Sequence, residues 1–186
     1  MLSPFLQKLL FVKQFKINEG EINLLGNRLV MLNASNILVL QEIDKTKMYS
    51  VSKSTGESNI KTIIEHAQVY RGLKDQTIRE IIELSKRINH SEEGAIKTLQ
   101  EIFNIYGLGK MIITNLDNKN KEAQTIIQNS SLALEQLKKG KSKKEVCIVT
   151  SGILAGTFTY LFNKNVDCIE IKCLAKGDED CEFFIS

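Results

Sequence analysis

Glu170-Ile171-Lys172-Cys173-Leu174-Ala175-Lys176-Gly177-Asp178-Glu179-Asp180-Cys181-Glu182-Phe183 is the stretch whose reading decides the fold of this chain. Apolar runs at Val166–Lys172 and Cys181–Ile185 flank a polar, Gly-containing connection, the pattern of a β-hairpin. Cys173 and Cys181 sit on either side of that connection. Residues facing each other across such a ladder lie roughly 4.5–5.5 Å apart, so the two thiols can chelate one metal or form a strained disulfide. Glu170 lies three residues before Cys173. Strict alternation puts the two on opposite faces of a strand, so a bulge or a strand end between them is required if both are to meet one ion.

All four cysteines of the 186 residues fall in this region. Cys147 is expected in the first turn of a helix over 145–162, where the helix dipole favours the thiolate form that binds metals. One Glu and three Cys make a soft four-ligand set that suits zinc before iron, and a closed shell of protein ligands marks a structural site. Spacing leaves two ligand sets open. Cys168 shares strand parity with Glu170 and competes with Cys147. Buried cysteines that serve only as small apolar packing residues are the bland alternative. Within the 145–162 helix, Ser151-Gly152-Ile153-Leu154-Ala155-Gly156 offers small residues at helical spacing, which suits close packing of this helix on a neighbour. A phosphate cradle would need the glycines in a loop before a helix.

Working outward, Phe11 to Ile17 and Ile22 to Leu32 read as strands around a turn at Asn18–Glu21, with a bulge or second turn at Gly26-Asn27. Asn33 opens a helix that includes 37–43. The Ser-, Thr- and Lys-rich segment 45–58 reads as a loop, with a solvated helix running into the next as the alternative. Helical periodicity follows at 59–70, 77–88 and 92–106. Strands at 110–116 and 122–128 flank the turn 117–121, a Ser-capped helix covers 130–137, and 138–144 is a basic loop. The order predicts an α+β fold, a mainly antiparallel sheet covered by a layer of helices. We expect one domain over 1–186, with an N-terminal hairpin and connecting segment at 1–58 and the helical layer, sheet and C-terminal signature at 59–186.

The charge is +3 with 42% hydrophobic residues, ordinary for a globular domain and too weakly basic to imply nucleic acid. No apolar run approaches the ~20 residues that span a bilayer. The start, Met1 to Phe11, has no charged leader and no small-residue cleavage site, and a cytoplasmic protein is expected. His66 and His90 are expected at a core edge and in an interhelical connection, and no catalytic triad can be assembled around them.

The set Cys147, Ser151–Gly156, Glu170, Cys173-Leu-Ala-Lys-Gly177-Asp178, Cys181 and Phe183 resembles the C-terminal signature of the 4-vinyl reductase domain family. That resemblance implies a helical layer on an antiparallel sheet, similar to small subunits of the Golgi vesicle-tethering complex, and a homodimer. It implies zinc held by Cys147, Glu170, Cys173 and Cys181, which selects Cys147 over Cys168. In phenol-sensing transcription activators of the family the domain binds an aromatic effector. This chain lacks the Trp that lines those pockets, so only a small hydrophobic ligand is carried over. The expected function is a non-enzymatic, zinc-stapled sensor-like domain. An assembly module and a tetrapyrrole enzyme are the alternatives, although no Gly-x-Gly-x-x-Gly follows a strand.

Overall fold

The computed structural model describes residues 15–24, 27–69, 100, 103–104 and 106–186. Contacts divide the chain into two units, residues 1–31 with 62–101 and residues 32–61 with 102–186. The first unit holds a three-stranded antiparallel sheet, β1 (Phe15–Asn18), β2 (Glu21–Leu24) and β3 (Asn27–Leu29), in that order. Glu19 and Gly20 both take positive φ, 48° and 80°, as a two-residue hairpin turn of matching twist demands. Strands β2 and β3 are antiparallel with Asn27 opposite Leu24, so the chain reverses a second time between them, as a second turn near Asn27 requires. The expected strand residues 11–14 and the expected helix 77–88 lie outside the described residues. Of the expected helix 92–106, residues 100, 103 and 104 are helical.

The second unit carries α1 (Ala34–Ile43), the start of α2 (Lys45–Val69), β4 (Lys110–Asp117), β5 (Glu122–Gln128), α3 (Ser131–Lys139), α4 (Ile148–Phe162), β6 (Cys168–Lys172) and β7 (Cys181–Ile185). Its sheet runs β4-β5-β7-β6 with every neighbour antiparallel. The last strand is therefore inserted between β5 and β6. Alternation explains why the sheet has a wet and a dry face. Ala123, Thr125 and Ile127 of β5 and Cys181, Phe183 and Ile185 of β7 are all fully buried, and the residues between them are partly exposed. Helix α4 packs on β6 and β7, and Thr150, Leu154 and Phe158, four residues apart on one stripe, are fully buried. The α+β class and the antiparallel sheet under helices are as the sequence predicts.

Two local expectations are corrected. Segment 45–58 is not a loop: α2 runs unbroken through it and across the expected boundary at 58/59. The reason is visible in its inner stripe, Ser52, Gly56 and Ile60, which is buried. Small residues there let α2 approach α4 until backbone meets backbone. A Cβ on Gly152 would lie 2.6 Å from Ser52 Cβ and 2.6 Å from the Tyr49 carbonyl oxygen, and one on Gly156 would lie 2.7 Å from the Glu57 nitrogen. The contact is reciprocal, since a Cβ on Gly56 would lie 2.9 Å from Ile153 Cα. Helix α4, in turn, begins at Ile148 rather than near Glu145, and Cys147 is its N-cap.

The other tie between α2 and the sheet is polar. The Tyr49 hydroxyl accepts the Cys168 N–H at 2.8 Å and donates to Asp167 Oδ1 at 3.2 Å. Lys53 Nζ pairs with the same Asp167 oxygen at 2.7 Å. Burial pushes the Tyr49 phenol up, so it stays a proton donor. Replacing Tyr49 by Phe leaves the Cys168 N–H without this acceptor, and a loss of about 1 kcal/mol is expected in urea unfolding; an unchanged midpoint would remove the tie from the account. Gly156→Ala forces two helix backbones apart. It is expected to cost about 1–3 kcal/mol in the same assay, the usual range for overpacking, and a neutral result would mean the helices separate freely.

Candidate metal centre

The site is assembled from three elements of the second unit. Cys147 ends the loop before α4, Glu170 lies in β6, Cys173 follows β6, and Cys181 opens β7. One ligand atom from each lies within 4.8 Å of all the others. The three thiols are fully buried. Cys168 lies outside this group; it is buried in β6 beside the Ser151 hydroxyl, and burial pushes its thiol up.

The local geometry explains how four residues from 34 positions of sequence converge. Pairing between β6 and β7 slips between Glu170 and Lys172. This bulge at Ile171, with the strand end at Lys172, supplies the change of parity that Glu170 and Cys173 need to share a face. Beyond it the chain folds into a 3₁₀ turn, Leu174–Lys176, closed by Gly177 at φ 115°. The glycine's left-handed conformation lets Asp178 turn back, and its Oδ2 accepts the Cys173 N–H at 2.8 Å. Leu174 donates its N–H to Cys181 Sγ at 3.4 Å. The loop before α4 is held by Glu170, whose Oε2 accepts the Cys147 N–H at 2.9 Å. Ser130, the N-cap of α3, places its hydroxyl 3.4 Å from Cys147 Sγ while also accepting the Ala133 N–H.

The electrostatics follow from crowding acidic groups away from water. Contact with Cys173, then with Cys181, and burial push the Cys147 thiol up. The thiols of Cys147 and then Cys181 stabilise the Cys173 thiolate and hold its pKa far below the usual range. Burial, then the Cys173 contact, pushes Glu170 up to about 8. These are the responses of groups that lack a shared cation.

Two observations test whether a metal ion suits the set. Cys147 Sγ and Cys181 Sγ are 3.7 Å apart, close to the edge of about 3.8 Å for a tetrahedron with Zn–S bonds of about 2.3 Å. Glu170 Oε1 is buried with no hydrogen-bond partner among the described residues, while Oε2 is committed to the Cys147 N–H. One carboxylate oxygen is thus free to ligate. The donor set and its spacing fit zinc.

Sequence reasoning misses Ser130 and Asp178. Asp178 stands inside the signature but carries no signal of its own, because its role depends on the turn at Gly177. Ser130 is legible only as a helix cap. His66 lies in α2 and His90 outside the described residues, and neither belongs to this site.

Comparison with known proteins places these residues in context. Residues 133–186 match the vinyl-4-reductase domain, and this segment contains all four of the converging side chains. An uncharacterised protein of Methanocaldococcus jannaschii is 40% identical over 40 residues, 22% of this chain and 23% of that one. The aligned segment thus spans less than a quarter of that relative. Among solved structures, the phenol-responsive sensory domain of the transcription activator PoxR, in complex with phenol, aligns with a TM-score of 0.64 at 16% identity, covering 97% of this chain and 87% of that domain. A vinyl-4-reductase family protein of M. jannaschii aligns at TM-score 0.48 and 15% identity, over 86% of this chain and 83% of that one. A trafficking protein particle complex subunit 3 from Naegleria fowleri, covalently bound to palmitic acid, aligns at 0.46 and 14% identity, over 81% and 88%. The C-terminal signature is therefore that of a vinyl-4-reductase domain, and the chain as a whole shares the fold of the PoxR sensory domain.

Proposed function

We propose that residues 1–186 form a zinc-stapled, sensor-like domain that binds a small hydrophobic molecule and acts by binding rather than by catalysis. The observation that carries the metal half of this reading is the convergence of Cys147, Glu170, Cys173 and Cys181 within 4.8 Å in a buried pocket. Three thiolates and one carboxylate favour zinc, and four protein ligands leave no open position for substrate or activated water. Zinc bound there supplies a cross-link whose energy is folding energy, roughly 10–16 kcal/mol in small zinc domains. Cys147 would tie the start of α4 to the hairpin, Cys173 and Cys181 would close the hairpin's mouth, and Glu170 would join β6 to both.

The binding half rests on the likeness to the PoxR domain, whose structure holds phenol. The same reading takes the domain to be a cytoplasmic homodimer. Thiolate ligands are kept reduced in the cytoplasm. Val39, Leu40 and Ile43 of α1 also present apolar side chains to solvent, which suits a surface that a second copy covers.

Native mass spectrometry with elemental analysis tests the reading in one sample. One zinc per chain, a dimer mass and a retained organic molecule are expected. Protein purified under reducing conditions with no metal would sink the staple, and protein that neither retains nor is thermally stabilised by any member of a panel of small hydrophobic compounds would sink the sensor. Stripping the zinc with a chelator is expected to lower Tm by more than about 10 °C, since 1 kcal/mol moves Tm by about 2–4 °C at this size.

Single substitutions define the ligand set. Cys173→Ser and Cys181→Ser are each expected to lose the metal and most of that stability. Cys168→Ser is expected to keep a full zinc complement. Metal lost from Cys168→Ser and kept in a Cys147→Ser protein would exchange the roles of the two cysteines.

A further inference from the structure

Gln41 is a fully buried primary amide on α1. Burying such a group is costly unless its donors and acceptor are used. Both ends are used, and both on the residues that bracket Cys147. Its Nε2 donates to the Val146 carbonyl, and its Oε1 accepts the Val149 N–H at 3.5 Å. Val146 offers an acceptor and Val149 a donor, so one orientation of the amide satisfies both.

The contact answers a need of α4. The first N–H groups of a helix have no partner inside it, and the N-cap side chain ordinarily supplies one. The N-cap here is Cys147, whose side chain makes no cap hydrogen bond. Its sulfur is turned instead to Cys181, 3.7 Å away. A residue 108 positions away in sequence supplies the missing cap. Together with the Glu170 carboxylate on the Cys147 N–H, Gln41 fixes the backbone at 146, 147 and 149.

We infer that Gln41 is a positioning residue for the metal centre: it caps α4 in place of Cys147 and so frees and aims the Cys147 sulfur as a ligand. The inference rests on the zinc-staple reading above. Residues that orient a ligand without touching the metal typically change its affinity by about 10–100-fold when lost. Gln41→Met keeps length and volume but removes both hydrogen bonds.

The test uses the full chain, loaded with zinc or cobalt(II). Two readouts are compared: the rate of zinc transfer to a chromophoric chelator, and the visible d–d bands of the cobalt form, which report the tetrahedral geometry. Leu38→Ala serves as control, because it truncates the core on the same helix and leaves the amide in place. Gln41→Met is expected to release zinc about 10–100-fold faster and to shift the cobalt bands. Leu38→Ala is expected to lose thermal stability while keeping wild-type release and bands. A Gln41→Met protein that matches wild type in both readouts overturns the positioning role, as does a Leu38→Ala protein that matches Gln41→Met. If Gln41→Met does not fold, Gln41→Glu, which keeps the acceptor and the length but loses the donor, decides by the same readouts, and wild-type values overturn the proposal. A wild-type chain that takes up neither ion overturns the metal reading itself, and this inference with it.

Discussion

Cys147, Glu170, Cys173 and Cys181 bring three sulfurs and a carboxylate within 4.8 Å of one another, with the sulfurs fully buried. Acidic groups in such a place either keep their protons or share a cation. The directions of their pKa shifts express that choice: Cys147 and Glu170 pushed up, Cys173 pulled down. The surrounding backbone is arranged around the same constraint. Each ligand sits where regular structure stops or slips, at a helix N-cap, at a bulge, after a strand and at a strand start. Those are the positions where the chain can aim a side chain away from the parity of its own element.

The layer behind the site is held in a different way. Helix α2 touches α4 through Gly56, Gly152 and Gly156, so that approach depends on the absence of side chains rather than on their interlocking. Close backbone contact leaves little room for either helix to move. Tyr49 and Lys53 of α2 then reach Asp167 and Cys168 at the start of β6. The strand that carries Glu170 is therefore anchored at one end by α2, and at the other by the turn that Gly177 closes.

This division explains which parts of the molecule can be read from sequence. The hairpin, the β4–β5 turn and the Ser130 cap announce themselves through alternation and turn chemistry. The need for a bulge between Glu170 and Cys173 follows from parity alone, and the structure places a register slip there. Segment 45–58 misleads because its inner stripe is Ser52 and Gly56. Small polar residues carry no hydrophobic period, and their meaning lies in the glycines of a partner helix far along the chain. Gln41 is invisible for a related reason. A glutamine on an apolar helix has no local signature, and its two partners are set by tertiary packing.

Where the ligands sit also bears on what the site can do. A set of four protein donors is complete, and a complete tetrahedron has no vacancy for a reacting group. Under the proposed reading the staple therefore contributes order, and any selectivity for a bound molecule has to come from apolar surface elsewhere in the fold. The two properties are coupled through α4. Its N-terminus carries the metal ligand and the Gln41 cap, while its buried stripe of Thr150, Leu154 and Phe158 lies within the helix–sheet core. A change at either end of that helix has to be absorbed by one rigid rod pinned to α2 by glycine contacts. Loss of the staple would thus loosen the same helix that helps build the core.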